Sequence, residues 1–191
     1  MMMLLTAEDY RKTPWKNGGG VTEDVLLLPD GASHEDFDIR ISRAPIIDES
    51  RFSVFPGIDR TITRLGENPL TLCFADGQEI ELAYLSPLSF DSALAPTSRL
   101  SAGASQVMNV MTRRGRWQAD VSVLRGAARE KRRLPAGGMI VVHVVRGDCT
   151  VAARQVACGQ TLVMDEGAEV EIALPEDGAC LVAAISPARG V

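Results

Sequence analysis

Short stretches of alternating apolar and polar residues, separated by turn sequences, account for most of the chain. The alternation is clearest in Phe37–Arg43 and Glu79–Leu82, and it predicts strands with one buried face. Helical signals are confined to Thr6–Lys12 and Ala44–Glu49, where we expect a turn or two. The chain is therefore predicted to be all-β. Other runs rich in strand-forming residues are Arg60–Leu65, Leu70–Phe74, Gln106–Met111, Ala119–Leu124, Met139–Val145, Cys149–Ala153, Thr161–Met164, Glu169–Leu174 and Ala179–Ile185.

The order of turns and strands occurs twice along the chain. Each copy starts with a proline–glycine segment, Phe55-Pro56-Gly57 in the first half and Leu134-Pro135-Ala136-Gly137-Gly138 in the second. A strand, a glycine turn, a second strand, another glycine turn and a third strand then follow in the same order. A repeat of roughly 80 residues favours two related β-barrels. We expect one barrel in residues 1–115 and the other in residues 116–191, with N-terminal strands able to swap between them. A small barrel leaves room for one small ligand.

Length, composition and charge place the chain among globular proteins. Its 191 residues are 46% hydrophobic and carry a formal net charge of −5, so we expect a buried core and no nucleic-acid partner. No apolar run reaches the roughly 18 residues of a membrane span, and Met1–Leu5 lacks the basic start of a signal peptide. A cytoplasmic protein is expected. The basic cluster from Arg125 to Arg133 is interpreted as a solvated connector.

The sequence gives little support for a metal site, a cofactor site or a catalytic nucleophile. The four cysteines form no C-x-x-C pair and are expected to be buried thiols. His34 lies in a polar loop and is expected to be exposed, whereas His143 lies mid-strand and is expected to be a hydrogen-bonded histidine of the core or the surface. No P-loop, dinucleotide fingerprint or Gly-x-Ser-x-Gly elbow is present. We therefore predict no metal, no cofactor and no catalytic residue.

Polar residues on two predicted strands share faces that can line a barrel. Arg40 and Ser42 alternate with isoleucines, and Asn109 shares a face with Arg113. Together with Arg60, these side chains meet inside the first barrel if the polar faces point inward. Arginine suits carboxylates because its guanidinium donates two parallel hydrogen bonds, and asparagine can read an amide or formyl group. The alternative for each arginine is an ordinary salt bridge.

The segment from Trp15 to Thr22 combines an aromatic ring, a cation and an amide with three consecutive glycines. Glycine permits positive φ and close approach, so the segment suits a loop that presents N–H groups and the Asn17 amide to a small polar ligand. A glycine-rich bend capped by a buried tryptophan is the alternative. Trp15 and Phe55 are candidate pocket walls that exclude water, and ordinary core packing is the alternative for both.

Four segments resemble the HutD/Ves family of double-cupin proteins. They are Trp15–Thr22, Phe37–Ser42 with the nearby Ala44 and Ile46, Phe52–Arg60, and Asn109–Gly115. The resemblance implies a bicupin fold of the jelly-roll type and a link to bacterial histidine utilisation. The chain departs from the family pattern after Thr22, where Glu23-Asp24 replaces a basic residue followed by an acidic one.

The resemblance and the residues together predict a metal-free, small-molecule-binding regulator of histidine catabolism, with an acidic intermediate such as N-formylglutamate as its ligand. Two alternatives stay open: a cupin-like isomerase or hydrolase acting on a related metabolite, and a protein-interaction module. Edge strands would also be compatible with a homodimer. The expected ligand contacts are Trp15, Asn17, Arg40, Ser42, Phe55, Arg60, Asn109 and Arg113.

Overall fold

The structure, a computed structural model, describes residues 1–14 and 21–188. Helix in this part of the chain is limited to one 3₁₀ turn, Ser92–Leu94, which confirms the prediction of an all-β protein. Within the described residues the strands are β1 (Met2–Leu5), β2 (Arg11–Pro14), β3 (Val21–Leu28), β4 (Ile39–Ile46), β5 (Ile58–Arg64), β6 (Leu70–Cys73), β7 (Glu79–Glu81), β8 (Pro87–Asp91), β9 (Thr97–Leu100), β10 (Ser105–Arg113), β11 (Trp117–Arg125), β12 (Ala128–Arg133), β13 (Met139–Arg146), β14 (Cys149–Val151), β15 (Arg154–Val156), β16 (Thr161–Met164), β17 (Glu169–Leu174) and β18 (Ala179–Pro187).

The chain divides into two compact units. The N-terminal unit is Arg11–Arg116, and the C-terminal unit combines Met1–Tyr10 with the chain from Trp117 onward. Strand β1 belongs to the C-terminal unit because it pairs antiparallel with β16, Met2 opposite Met164. No helix in residues 1–14 and 21–188 has the length and apolar character needed to cross a membrane.

The N-terminal unit encloses its apolar core between two antiparallel sheets. One sheet has six strands in the order β2-β3-β4-β10-β5-β8, and the other has the order β7-β6-β9. Ile62 and Val107 of the larger sheet pack against Leu70 and Leu72 of the smaller one, and all four are fully buried. Each such side chain contributes about 1.5–3 kcal/mol. Because side chains alternate along β4 and β10, the polar positions of these strands share the face of this core.

The C-terminal unit follows the same plan with a larger core. Its sheets have the orders β1-β16-β13-β18-β11 and β12-β17-β14-β15. Ile140, Val142 and Val144 alternate along β13 and meet Val151 and Ile172 of the facing sheet. Two stacked antiparallel sheets in each unit produce the sandwich-like barrels that the turn pattern predicts.

Two local expectations are wrong. Residues Ala44–Ile46 extend β4 instead of forming a helical turn, because Ala44 and Ile46 fill the sheet core at alternate positions. The basic stretch Ala128–Arg133 is strand β12 and not a connector. Its alternate residues Arg129 and Lys131 are exposed and pair with glutamates of β17, so the charges occupy one solvated strand face.

The cysteines are all free thiols. Cys149 and Cys180 are buried in the core of the C-terminal unit, as expected, and Cys73 is half-buried. The expectation is wrong for Cys158, which is exposed. Its backbone N–H donates to Asp148, and its thiol donates to the carbonyl oxygen of Val145.

Candidate functional site

A cavity of about 620 Å³ opens in the N-terminal unit, and the inward residues of three adjacent strands line it. Strand β4 contributes Arg40 and Ser42, and β10 contributes Asn109 and Met111. The antiparallel register places Ser42 opposite Asn109 and Arg40 opposite Met111. On the other side of β10, Arg60 of β5 lies opposite the same Met111. Two arginines therefore flank one methionine across the sheet.

Arg60 has a buried guanidinium with no carboxylate partner in the described part of the chain. The residue is 4% exposed. Its Nη2 donates to the carbonyl oxygen of Ser53 at 3.3 Å, and its Nε has no hydrogen-bond partner among the described residues. The rings of Phe52, Phe55 and Phe90 surround it, with centroids 5.4, 5.6 and 5.9 Å from Cζ.

The pKa of Arg60 reflects this enclosure. Burial, and then the nearby positive charge of Arg40, lower the pKa of Arg60 to about 10, so the group still carries its charge at neutral pH. A buried charge without a counter-ion costs several kcal/mol, and a cation over an aromatic face recovers about 0.5–2 kcal/mol. An anion that reaches Nε would offset much of the remaining cost.

Arg40 is paired, in contrast to Arg60. Its Nε donates to Oδ1 of Asp24 at 2.7 Å, and Oδ2 of the same carboxylate lies 2.5 Å from Nε2 of His34. The Asp24 side chain is 1% exposed. In the described part of the chain, Nε is the only guanidinium nitrogen of Arg40 with a hydrogen bond, so Nη1 and Nη2 stay available to a ligand.

Glu23 and Asp24, the acidic dipeptide that departs from the family pattern, pair with two different arginines. Glu23 accepts two hydrogen bonds from Arg43, at 2.6 and 2.8 Å, away from the cavity. Asp24 lies behind the cavity wall and fixes Arg40. A basic contact at position 23 is therefore replaced here by an acidic residue that pairs with a neighbouring strand.

Asn109 supplies an unsatisfied acceptor in the same cavity. The residue is 7% exposed, and its Oδ1 is buried without a hydrogen-bond partner among the described residues. Leaving a buried acceptor unpaired costs about 1–3 kcal/mol. Among its described residues the cavity therefore offers an open acceptor on Asn109 and open donors on Arg60 and Arg40.

The electrostatic balance of the cavity is positive. The charged residues that line it in the described part of the chain are Arg40, Arg51 and Arg60. One carboxylate, Asp24 behind the wall, offsets one of these three cations. Charge in a partly closed cavity is weakly screened, so the surplus attracts an anion.

Five of the eight predicted ligand contacts come together here: Arg40, Ser42, Phe55, Arg60 and Asn109. Phe55 also packs edge-on against Phe37, with ring centroids 5.6 Å apart, so it serves the core as well as the cavity wall. Trp15 and Asn17 lie outside the described residues. Whether the five residues bind a ligand stays a prediction.

The expectation for Arg113 needs correction, because Arg113 does not line the cavity. Its Nε donates to Asp38 at 2.9 Å, and its Nη2 donates to Asp36 and to the carbonyl oxygen of Phe37, both at 2.7 Å. Arg113 is the last residue of β10, where the strand has passed the cavity and reaches the loop before β4. The ordinary salt bridge, the stated alternative, is what the structure contains.

Several residues in and around the cavity could not be found from the sequence. Phe52 and His34 line the cavity, and Asp24 supports it. His34 is only 27% exposed at its side chain, so its predicted exposure is wrong. The signal for Asp24 was its alternation with Thr22 on β3, whereas no periodicity marks loop residues such as His34.

His143 is a buried, hydrogen-bonded histidine and does not lie on the surface. Its Nδ1 lies 2.9 Å from Oγ1 of Thr161, which is also 2.8 Å from the hydroxyl of Tyr10. It occupies the face of β13 opposite the apolar core of the C-terminal unit. Among residues 1–14 and 21–188, no group of three or more His, Cys, Asp or Glu side chains is arranged to hold a metal.

The fold defines a class: two jelly-roll units of the cupin type. Solved cupin-fold structures match at 10% identity with TM-scores of 0.68 and 0.73, a likeness in fold alone. The HutD family model matches residues 7–182, and the chain belongs to the HutD family. The structure of HutD from Pseudomonas fluorescens covers 99% of the chain and is itself covered in full, at 24% identity and a TM-score of 0.84.

Curated relatives match over part of the chain. An uncharacterised 21.2 kDa protein in the hutC 3′ region of Pseudomonas putida is 33% identical over 129 residues, which are 67% of each chain. Protein Ves of Citrobacter koseri is 35% identical over 119 residues, 60% of this chain and 61% of its own. The resemblance inferred from four short segments is thereby confirmed.

Proposed function

We propose that the chain is a metal-free regulator of histidine catabolism that binds a small acidic metabolite in the cavity of the N-terminal unit. The observation that carries this proposal is the guanidinium of Arg60, which is buried, lines the cavity and lacks a carboxylate partner in the described part of the chain. A fold that keeps a cation in this state gains stability when an anion binds.

The open polar groups favour an N-acyl amino acid over a simple anion. The guanidinium of Arg60 suits a carboxylate, and so do Nη1 and Nη2 of Arg40, which make no hydrogen bond in the described part of the chain. The orphan Oδ1 of Asn109 accepts a hydrogen bond, and the N–H of an acylated amine can donate it. N-formylglutamate has two carboxylates, one such N–H and a formyl oxygen, so it matches donors and acceptor together.

Family membership supplies the metabolic context. The chain belongs to the HutD family, and a relative from Pseudomonas putida is named for its position beside hutC. An acidic intermediate of histidine breakdown carries the carboxylates that the arginines of the cavity suit. A protein of this kind acts on the pathway by sequestering the metabolite or by presenting its liganded form to a partner.

Calorimetry with N-formyl-L-glutamate tests the proposal. Binding is expected for the wild type, and Arg60→Ala should weaken it more than tenfold, about 1.4 kcal/mol. Arg99→Ala is the matched control, since Arg99 belongs to the same unit and pairs at the surface with Glu79. Absence of binding across N-formylglutamate, formiminoglutamate, urocanate, histidine and glutamate would refute the proposal.

An enzyme on a related metabolite is the second candidate, and the Asp24–His34 pair favours it. A carboxylate that orients an imidazole is a common arrangement for general acid–base catalysis. Metal analysis after dialysis and proton NMR of N-formylglutamate incubated with the protein distinguish the two. Stoichiometric metal, or turnover of the compound, would favour the enzyme.

A further inference from the structure

The imidazole of His34 is fixed on the wall of the cavity by one of its two nitrogens. Nε2 lies 2.5 Å from Oδ2 of Asp24 and 3.4 Å from Oγ1 of Thr13. In the described part of the chain, Nδ1 makes no hydrogen bond. With 27% of the side chain exposed and the residue lining the cavity, a ligand can reach the imidazole.

The charge of His34 is poorly compensated when the ring is protonated. Asp24 uses Oδ1 for Arg40 and Oδ2 for His34, so a single carboxylate serves both groups. With a neutral imidazole, Asp24 and Arg40 form a neutral pair. Protonation adds a second cation to the same carboxylate, and its charge adds to the positive surplus of the cavity.

Neighbouring groups do not remove this effect. Thr13 of β2 carries no charge, and Asp24 and Arg40 are the charged groups that face the ring from β3 and β4. Arg51 and Arg60 line the same cavity as further cations. The guanidinium groups keep their charge between about pH 5 and pH 8, so they do not create a pH response in that range.

Two acidic residues follow His34 in its own loop. Asp36 is held by Arg113 at 2.7 Å, and Glu35 is exposed to solvent. Imidazole is the side chain best suited to exchanging a proton near neutral pH, and His34 is the imidazole on this wall.

We propose that His34 is a proton-dependent contact of the anion site, and that anion binding is accompanied by proton uptake on Nδ1. This inference rests on the proposed function. With Nε2–H directed at Asp24, the neutral ring presents a lone pair at Nδ1, which repels a carboxylate oxygen. The protonated ring presents a donor there, so affinity rises as the pH falls through the titration of the imidazole.

The test measures affinity for N-formyl-L-glutamate by calorimetry between about pH 5 and pH 8. The carboxylates of this probe are ionised throughout, since such groups titrate near pH 3.5–4.5. The wild-type affinity should fall by about tenfold over the range. His34→Gln keeps a donor for Asp24 but cannot titrate, so its affinity should change less than about twofold.

Imidazole NMR on the unaltered protein gives a second readout that does not depend on a variant folding. The chain has only two histidines, and His143, bonded to Thr161 in the other unit, is the internal reference. Added N-formylglutamate should move the titration midpoint of His34 to higher pH and leave His143 unchanged. By linkage, the shift in midpoint must match the pH dependence of affinity.

The outcomes separate the two proposals. Binding whose pH profile is the same in wild type and His34→Gln, with an unmoved His34 midpoint, overturns the role of His34 while the anion site stands. Failure of the compound to bind at any pH overturns both. A tenfold pH effect that disappears in His34→Gln supports both.

Discussion

Arg40 and Arg60 face one cavity from the two strands that flank β10, yet only Arg40 has a carboxylate partner in the described part of the chain. Met111 is the register partner of both. Asp24 neutralises Arg40 at 2.7 Å, whereas Arg60 is enclosed by aromatic rings. The charge of Arg40 is therefore balanced within the fold, whereas the charge of Arg60 has no carboxylate counterpart among the described residues and is left for an anionic ligand.

Replacing Arg60 by methionine should separate stability from binding. Methionine fills the aromatic enclosure without a charge, and removing an uncompensated buried cation is expected to leave the free energy of unfolding unchanged or to raise it by about 1 kcal/mol. Urea unfolding measures the stability and calorimetry with N-formyl-L-glutamate measures the affinity. A variant that loses more than about 2 kcal/mol while still binding would show that Arg60 is structural.

Asp24→Asn should lower the free energy of unfolding much more than Glu23→Gln does. The substitution removes the charge that Arg40 and His34 share in a buried position, and breaking such a pair costs about 3–5 kcal/mol. Glu23→Gln is the matched control, because the Glu23–Arg43 pair is more exposed and should contribute less than about 1 kcal/mol. Equal losses in the two variants, measured by chemical unfolding, would contradict a central role for Asp24.

Ser98→Ala should loosen the loop that carries the aromatic wall. The Ser98 hydroxyl accepts from the N–H of Ser50 at 3.0 Å and donates toward the carbonyl oxygens of Asp48 and Ser50, both at 3.1 Å. Losing a buried hydroxyl with these partners costs about 1–3 kcal/mol. Hydrogen exchange in residues 48–56 should rise and affinity should fall. Unchanged exchange there would show that the loop holds its position without Ser98.

Lowering the pH should reduce the free energy of unfolding, in part because Asp91 becomes protonated. The backbone N–H of Ala93, and then Arg114, hold the pKa of Asp91 below its ordinary value of 3.8. A carboxyl group with a lowered pKa stabilises the folded state above its unfolded value, and this contribution disappears as the pH falls below about 4. Asp91→Asn should therefore show a shallower loss of stability below that pH.

The control for this effect is Asp30→Asn, at an exposed position before β4. Its acid unfolding profile should follow that of the wild type. A profile for Asp91→Asn that also follows the wild type would mean that the contacts of Asp91 do not contribute to stability. Urea unfolding at several pH values provides the measurement.

Alternation along single strands made part of the site predictable. Arg40, Ser42 and Asn109 follow the two-residue period of β4 and β10, so their shared face could be read from the sequence. Arg113 follows the same period and still misses the cavity, because the position where a strand leaves the cavity depends on register and on the carboxylates of a separate loop.

Features that depend on distant partners could not be predicted from local pattern. Met2–Leu5 is a short apolar segment whose strand character comes from pairing with β16, about 160 residues away. His34 owes its position to Asp24 on the other side of a turn. The Nε of Arg60 has no hydrogen-bond partner among the described residues, and residue identity alone does not reveal which groups a fold leaves unpaired.

A crystal structure with N-formyl-L-glutamate is the decisive experiment for the anion site. We expect a carboxylate of the compound about 3 Å from Nε of Arg60, with the ligand N–H directed at Oδ1 of Asn109. A ligand bound elsewhere on the protein, or an Arg60 guanidinium turned out of the cavity with no anion beside it, would refute an anion site at Arg60.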